Sequence, residues 1–136
     1  MRFMLDTNTL IYVLNARARH QAVLDRFNSE NPQNLIVSSI TVAELRFGIE
    51  KSQRREATRQ KLHRMLGAIN VVSLGEQAAE AYGVVRANLE AKGRPIGPLD
   101  TLIAAHALSL SVTLVTSNTR EFAKVGGLRL ENWIPG

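Results

Sequence analysis

Short apolar runs alternate along the chain with longer stretches in which apolar residues recur every three to four positions. The short runs are typical of buried strands, and the longer stretches are typical of helices with one apolar face. Because strands that alternate with helices pair in parallel, the pattern predicts a three-layer α/β fold with helices on both faces of the sheet. The sheet is expected to be mostly parallel and four- to five-stranded, with strands at residues 3–5, 35–37, 71–74, 112–116 and 128–130.

The helices are predicted from the same pattern and from the residues that begin and end them. Thr7 or Asn8 is expected to cap the first helix. Thr41 and Glu44 match a capping box, but the third helix is expected to start earlier, at Ser38 or Ser39, directly after the strand. Gly93 is expected just beyond the end of the fifth helix. No internal repeat or linker interrupts the pattern, so we interpret the whole chain, residues 1–136, as one domain. The predicted helices occupy residues 9–14, 21–28, 40–51, 52–67, 76–92 and 99–110, with a helical turn at 118–124.

Composition narrows the kinds of site and partner that the chain can have. There are 17 Lys and Arg residues against 12 acids, a net charge of +5, which favours a polyanionic partner such as nucleic acid but also suits an ordinary basic protein. The cationic face of the predicted helix at 52–67 is explained either by solvation or by contact with RNA or a partner. The chain has no Cys and three His, which excludes thiolate metal sites and makes a zinc site of imidazoles improbable.

The sequence contains neither a membrane-spanning stretch nor a signal-peptide pattern. No apolar run reaches the roughly 20 residues that are needed to cross a bilayer. The first residues lead directly into a strand pattern, without a basic segment followed by a long apolar one. Together with the absence of Cys, this predicts a cytoplasmic protein.

Three acids stand at places that are informative for function. Asp6 directly follows the first strand, where the simplest explanation is a helix cap. Glu44 lies one turn into the third helix, on a face with Ile40 and Phe47 that is expected to pack on the sheet. Asp100 lies in the first turn of an apolar helix, where an acid also complements the helix dipole.

The three acids are more informative together than singly. Each follows a predicted strand or begins a helix, and such positions share one edge of a parallel sheet. Clustered carboxylates repel each other unless a proton or a cation neutralises them, and a hard divalent cation prefers oxygen ligands. Mg²⁺ or Mn²⁺ held in this way activates water for attack on a phosphodiester. We therefore predict a metal-dependent phosphodiesterase with Asp6, Glu44 and Asp100 at its site.

The ordered set of these segments resembles the VapC toxins of bacterial type II toxin–antitoxin systems, which are PIN-domain ribonucleases. The similarity covers nearly the whole chain, and the fold it implies is the PIN-like three-layer α/β fold. Each segment alone is weak, but their order is specific. The segments are Met4–Asn8, Ser39–Leu45, Gly93–Asp100, Ile103–Ala107, Leu114–Asn118 and Glu121–Phe122.

The resemblance implies roles for individual residues. Asp6, Glu44 and Asp100 match the acidic triad that holds Mg²⁺ or Mn²⁺ and positions the attacking water. The polar residues around that triad are matched by Thr7, Asn8 and Thr116. Family members cut RNA, often tRNA, and thereby arrest translation. They typically form homodimers, and a cognate antitoxin protein silences them by reaching the acidic pocket.

One position departs from the family pattern. Many PIN domains carry a fourth acid after the strand that is predicted here at 112–116, and in this chain that position is Asn118. The nearest carboxylate is Glu121, which an exposed helix start explains equally well. We therefore expect a weaker second metal site, with Asn118 binding through a water or Glu121 acting as a substitute. Two further residues are expected to be structural: His106 as a core histidine rather than a general base, and Thr9 as a capping residue.

Three other functions compete with this interpretation. Aspartyl-phosphate phosphatases carry a second Asp two residues after the nucleophile, and Asn8 occupies that place here and cannot transfer a proton. A non-catalytic RNA-binding module would gain nothing from the three acids. A PIN nuclease of housekeeping RNA processing stays open, because genomic context and not this sequence separates it from a toxin.

Overall fold

The computed structural model describes residues 1–15 and 20–134. Five strands are present in this part of the chain: β1 (Phe3–Leu5), β2 (Leu35–Ser38), β3 (Asn70–Val72), β4 (Thr113–Val115) and β5 (Leu130–Glu131). Its α-helices are α1 (Thr7–Asn15), α2 (Gln21–Ser29), α3 (Ser39–Glu50), α4 (Arg55–Ala68), α5 (Glu76–Ala91), α6 (Pro98–Leu110) and α7 (Thr119–Phe122). A 3-10 turn, Pro32–Asn34, precedes β2.

The five strands form one parallel sheet in the order β3-β2-β1-β4-β5. Strand β1 lies at the centre, where Met4 is in register with Ile36 of β2 and Leu114 of β4. The prediction of a parallel α/β sheet flanked by helices is confirmed. Because β2, β1 and β4 are neighbours and run in the same direction, the residues that follow them meet at one edge of the sheet.

Alternate residues of the central strands pack into two cores, one on each face. Phe3 and Leu5 of β1 belong to a core that also contains buried residues of α1, α2, α3 and α4. Met4, which points to the opposite face, packs with α5 and α6. All three residues of β1 are buried, as expected of a strand that is covered on both sides.

The start of α1 differs from the prediction. The helix begins at Thr7 and not at Thr9, so neither Thr7 nor Asn8 is its cap. The Asp6 carboxylate has that role, because its Oδ1 accepts a hydrogen bond from the Thr9 backbone N–H at 2.8 Å. The simple explanation of Asp6 as a cap is therefore correct as far as it goes.

Helices α3 and α5 have ends that the sequence indicated correctly. The Ser38 hydroxyl accepts from the Ile40 backbone N–H at 3.1 Å and caps α3. Beyond α5, Gly93 has a φ of +66°, where a side chain would be strained. The Gly93 N–H donates to the Glu90 carbonyl and the Arg94 N–H to the Leu89 carbonyl, which closes the helix end.

Other boundaries shift by one to three residues. Helix α4 begins at Arg55 and not at residue 52, and strands β3 and β4 are shorter than predicted. Strand β5 begins at Leu130, two residues later than expected. No helix in residues 1–15 and 20–134 is both long and apolar enough to cross a membrane.

The end of the described chain is held against α2 by one arginine. The Arg26 guanidinium lies 4.7 Å from the ring centre of Trp133 and forms ion pairs of 2.9 Å with Glu30 and with Glu131. The Trp133 indole N–H donates to the Glu131 carboxylate at 3.0 Å, and its ring meets Phe3 edge-on at 5.5 Å. These contacts fasten the segment after β5 to the centre of the sheet.

Candidate active site

The site lies where β1, β2 and β4 end. Asp6 directly follows β1 and donates its backbone N–H to the Val115 carbonyl of β4 at 3.0 Å. Thr116 follows β4, and Ser38 is the last residue of β2. Helices α3 and α6 bring Glu44 and Asp100 to the same edge, as the electrostatic interactions of Asp100 show.

Asp6 is the most deeply buried of the acids, with 4% of its surface exposed. Burial raises the pKa of Asp6 above its ordinary value, because the charged form loses solvation there. Hydrogen bonds from Thr116 and Thr9 lower the pKa of Asp6 and so favour the carboxylate. Two threonines thus hold a carboxylate where burial alone favours the neutral acid. Asn8, which the resemblance placed beside it, is exposed.

Glu44 is oriented by a residue of α1. The Thr7 hydroxyl donates to Glu44 Oε1 at 2.7 Å, a short bond of the kind that charged acceptors make. This hydrogen bond joins the first turn of α1 to α3, so the two acid-bearing segments are held together directly. Glu44 itself is half-buried.

The environment of Glu44 differs from the expected one in one respect. The face of α3 that packs on the sheet carries Thr41, Leu45 and Ile49. Phe47, which was expected to be buried beside Glu44, has 66% of its surface exposed. The carboxylate therefore lies at the border between core and solvent, which lowers the cost of its charge.

Asp100 is the third residue of α6, after Gly97 and Pro98. Burial raises its pKa first, and repulsion from Glu44, Asp6 and Glu121 raises it further, in that order. Gly97 lies so close that a Cβ atom there would be 3.9 Å from Asp100 Oδ2. Four carboxyl groups therefore lie in one region, and the repulsion among them raises the pKa of Asp100.

The donors of this region fit a hard divalent cation in kind. They are carboxylate oxygens that repel each other, and in the described part of the chain Asp6, Glu44 and Asp100 have no ion pair with Lys, Arg or His. Among the described residues, however, no three His, Asp or Glu side chains are grouped closely enough to hold a metal ion. Glu44 Oε1 already accepts a hydrogen bond from the Thr7 hydroxyl, and ligation by all three acids would require their side chains to come closer together.

The two candidates for the fourth acid occupy different places. Glu121 raises the pKa of Asp100 and is also paired with Lys124 at 3.0 Å, so part of its charge is already balanced. The Asn118 backbone N–H donates to the Thr116 hydroxyl at 2.9 Å, which ties it to the threonine that contacts Asp6. The role of either residue as a metal ligand stays a prediction.

A buried histidine links the helices that carry Glu44 and Asp100. His106 of α6 is 1% exposed, and its Nδ1 lies 2.8 Å from the Ser38 hydroxyl that caps α3. Burial lowers its pKa, and a hydrogen bond with the Ser73 backbone opposes this. We assign the ring proton to Nε2, because the Ser73 carbonyl needs a donor and the Ser38 hydroxyl then donates to Nδ1.

The sequence placed His106 in the core but did not reveal what it holds. Ser38 was predicted only as a possible start of the third helix, and its pairing with a residue 68 positions away leaves no local signal. The one sequence feature that indicated a polar contact here was the Ser38-Ser39 pair directly after an apolar strand. Both hydroxyls are used in the structure, because the Ser39 hydroxyl accepts from the Leu74 backbone N–H.

Known proteins that resemble this chain agree with the geometry. The family model for the PIN domain matches residues 3–128. A tRNA(fMet)-specific endonuclease VapC from Shigella flexneri is 42% identical over 133 residues, which are 98% of each chain. Ribonuclease VapC2 from Haemophilus influenzae is 41% identical over 134 residues, 98% of this chain and 99% of the relative. The chain belongs to the PIN-domain VapC ribonucleases.

Solved structures of VapC proteins share the whole fold. VapBC from Salmonella typhimurium, in a DNA-bound crystal structure, superposes with a TM-score of 0.90 at 40% identity over 98% of both chains. VapBC2 from Rickettsia felis, bound to a DNA fragment of its promoter, gives 0.87 at 36% identity over 98% of this chain and 99% of that one. The family resemblance that the sequence indicated is confirmed, and the chain is a ribonuclease by family.

Proposed function

We propose that the protein is the toxin of a VapBC-type pair, a Mg²⁺- or Mn²⁺-dependent endoribonuclease that hydrolyses structured RNA and so arrests translation. The observation that carries the metal dependence is the group of Asp6, Glu44 and Asp100, whose carboxylates form no ion pair with a protein cation in the described part of the chain while Asp6 and Glu44 repel Asp100. A divalent cation bound by these carboxylates would relieve their repulsion and would also make the site functional.

Each acid would contribute in its own way. Asp6, Glu44 and Asp100 would hold the cation, which when bound activates water and stabilises charge on the phosphoryl group. Burial raises the pKa of Asp6, and the hydrogen bonds from Thr116 and Thr9 oppose that rise and so favour the charged form that a ligand needs. Thr7 holds one Glu44 oxygen through its hydroxyl.

The substrate is proposed from the relatives and from charge. The VapC of Shigella flexneri is named a tRNA(fMet)-specific endonuclease, and this chain is 42% identical to it over almost its full length. A net charge of +5 suits a polyanionic substrate, which in the cytoplasm includes tRNA. We therefore propose tRNA as the substrate class.

The proposed protein partner is a cognate antitoxin. The solved relatives from Salmonella typhimurium and Rickettsia felis are VapBC complexes, in which the toxin is accompanied by its antitoxin. A homodimer, which the family resemblance implies, stays a prediction, and sedimentation of the purified chain tests it.

The central experiment compares the wild type with Asp6→Asn on a panel of structured RNAs. Asparagine keeps an oxygen that can accept from Thr9, so the cap of α1 and the fold are retained while the charge is lost. We expect cleavage by the wild type with Mg²⁺ or Mn²⁺, none with EDTA, and a loss of about 100-fold or more in the variant.

The matched control is Asp25→Asn, which makes the same chemical change on exposed α2 and should cleave like the wild type. Cleavage that survives EDTA, or equal rates for Asp6→Asn and the wild type, contradicts the proposal. Tight RNA binding without any cleavage would favour a non-catalytic RNA-binding module instead.

A further inference from the structure

The excess positive charge of the protein lies in one short segment. Residues 46–64 contain seven of the 17 Lys and Arg residues and only two of the 12 acids. The remaining ten basic and ten acidic residues of the chain cancel. The charge of residues 46–64 therefore equals the net charge of the chain, +5, and this segment makes up most of the α3–α4 hairpin, which we define as residues 39–68.

Several cations of the hairpin are exposed and have no acidic partner. Arg59 is paired with Glu50 and Glu56, and Arg55 with Glu50 at a longer 3.7 Å. Within the described chain, no ion pair uses Arg46, Lys61 or Arg64, and all three are exposed. A groove of about 340 Å³ between the two helices is lined by Arg46, Glu56, Arg59, Gln60, His63 and Arg64.

An exposed aromatic ring accompanies these cations. Phe47 has 66% of its surface exposed, and the Lys51 ammonium group lies 5.2 Å from the centre of its ring. Phe47 follows Glu44 by three residues on the same helix, so the two side chains are neighbours on one face of α3. The exposed ring thus stands beside an acid of the site and a Lys ammonium group, where a ligand of the site can contact it.

We propose that the α3–α4 hairpin is the RNA-docking surface of this protein. An unpaired base stacks on Phe47, while the free cations Arg46, Lys61 and Arg64 contact phosphates along the same RNA. This inference rests on the proposed function and deepens it, because it names how the substrate reaches the acids.

Three physical arguments favour RNA over an acidic protein segment as the occupant. The cations extend along α4, whose 14 residues span about 21 Å, a length that suits the regularly spaced charges of a phosphate backbone. Proteins that bind single-stranded RNA stack its bases on aromatic rings that lie beside cations. Finally, the carboxyl groups repel phosphate, so a substrate needs cations nearby to approach them.

The experiment measures RNA binding apart from cleavage. In an Asp6→Asn background, fluorescence anisotropy follows the binding of an RNA stem-loop between about 50 and 200 mM salt. The charge variant is Arg46→Gln with Arg64→Gln, and its matched control is Arg2→Gln with Lys92→Gln, which removes the same charge from exposed residues outside the hairpin. Phe47→Ala is made separately, and circular dichroism verifies that each variant folds.

We expect the two kinds of variant to differ in a characteristic way. Loss of two phosphate contacts should make the slope of log affinity against log salt shallower by about 1.4 to 1.8, and the control should keep the wild-type slope. Phe47→Ala should weaken binding of the stem-loop by about 5-fold or more at every salt concentration without changing the slope. The affinity for a fully paired duplex should be the same for Phe47→Ala and the wild type.

Three results would overturn the inference. They are a hairpin double variant with the slope of its control, a Phe47→Ala variant with wild-type affinity, and variants that keep RNA affinity but lose antitoxin affinity. The last would assign the surface to a protein. A wild type that binds RNA through the hairpin but never cuts it would overturn only the proposed function, because binding is measured without cleavage.

Discussion

At the level of single residues, the acids of the site are held by neighbours of different kinds. Asp6 is buried, caps α1 through Thr9 and contacts Thr116. Glu44 has one hydroxyl donor, Thr7, whereas the charges that act on Asp100 within residues 1–15 and 20–134 are the like charges of Glu44, Asp6 and Glu121. The Asp6 carboxylate thus stabilises the fold by capping α1, whereas the charge of Asp100 destabilises the fold.

Asp100→Asn is therefore expected to stabilise the metal-free protein at neutral pH, by about 0.5–2 kcal/mol. Burial and the neighbouring acids raise the folded-state pKa of Asp100 above 3.8, so the folded state binds this proton more tightly than the unfolded state does. Its contribution to stability is fully present below 3.8 and is lost as the pH rises through the raised folded value. Urea unfolding across this range should show a decline in the wild type that is smaller in the variant, in which the raised pKa of Asp6 still contributes.

The same substitution should abolish cleavage, since it removes a proposed ligand. Asp25→Asn, on an exposed helix surface, is the control and should follow the pH dependence of the wild type. An Asp100→Asn variant that is less stable than the wild type at neutral pH would show that Asp100 has a compensating partner.

At this scale the sequence was informative where an acid occurred in an otherwise apolar segment. Asp6 after an apolar strand and Asp100 in an apolar helix were visible as anomalies, and the structure places both at one edge. The Thr7–Glu44 contact and the Ser38–His106 contact were not predictable from spacing, because they join segments 37 and 68 residues apart. Phe47 was misassigned to the core because helical periodicity does not show how far a helix extends beyond the sheet.

At the level of elements, α3 and α6 are joined at the residue that begins one of them. The Ser38 hydroxyl caps α3 and also bonds to His106 in the third turn of α6, six residues after Asp100. Because α3 carries Glu44, this contact fixes the distance between two acids through the backbone. Helix α5 packs on α6 through apolar residues and so helps to hold α6 in this position.

Substitutions of His106 should separate this contact from simple packing. His106→Asn places an oxygen near the position of Nδ1 and can keep the bond to Ser38, whereas His106→Leu leaves the buried Ser38 hydroxyl without its acceptor. We expect a loss of about 1–3 kcal/mol in stability for His106→Leu, with a fall in kcat, and a kcat nearer to wild type for His106→Asn. Urea unfolding and cleavage rates measured well below the melting temperature check both.

The control for this comparison is Val85→Ala, which weakens the same core without touching the Ser38 contact. It should lower stability and leave kcat unchanged. If the kcat values of all three variants simply follow their stabilities, His106 acts by packing alone.

At the level of the whole molecule, the last described residues are fastened by Arg26. Its ion pairs with Glu30 and Glu131 and its position over Trp133 connect α2, β5 and the end of the chain. Strand β5 in turn pairs with β4, and the Thr116 N–H donates to the Glu131 carbonyl at 2.9 Å. The sequence could not predict this cluster, because its members are separated by about a hundred positions and each is ordinary by itself.

Arg26→Met should lower the free energy of unfolding by about 1–2 kcal/mol, because methionine keeps part of the aliphatic stem but removes the charge and its ring contacts. The protein has a single Trp, so the fluorescence of Trp133 during urea titration reports this region directly. Arg86→Met is the matched control: Arg86 also pairs with a Glu four residues on, but it is exposed, and its loss should be undetectable. Equal curves for both variants would contradict the role of Arg26.

The uneven distribution of charge also bears on the speed at which the protein finds its substrate. Because the excess charge of the chain lies in residues 46–64, the field of an RNA attracts this segment and turns the molecule before the two touch. Collisions then begin at the hairpin rather than at random points of the surface, and α3 delivers Glu44 to the nearest phosphodiester. Charge placement, and not only the acids, thereby sets the fraction of encounters that are productive.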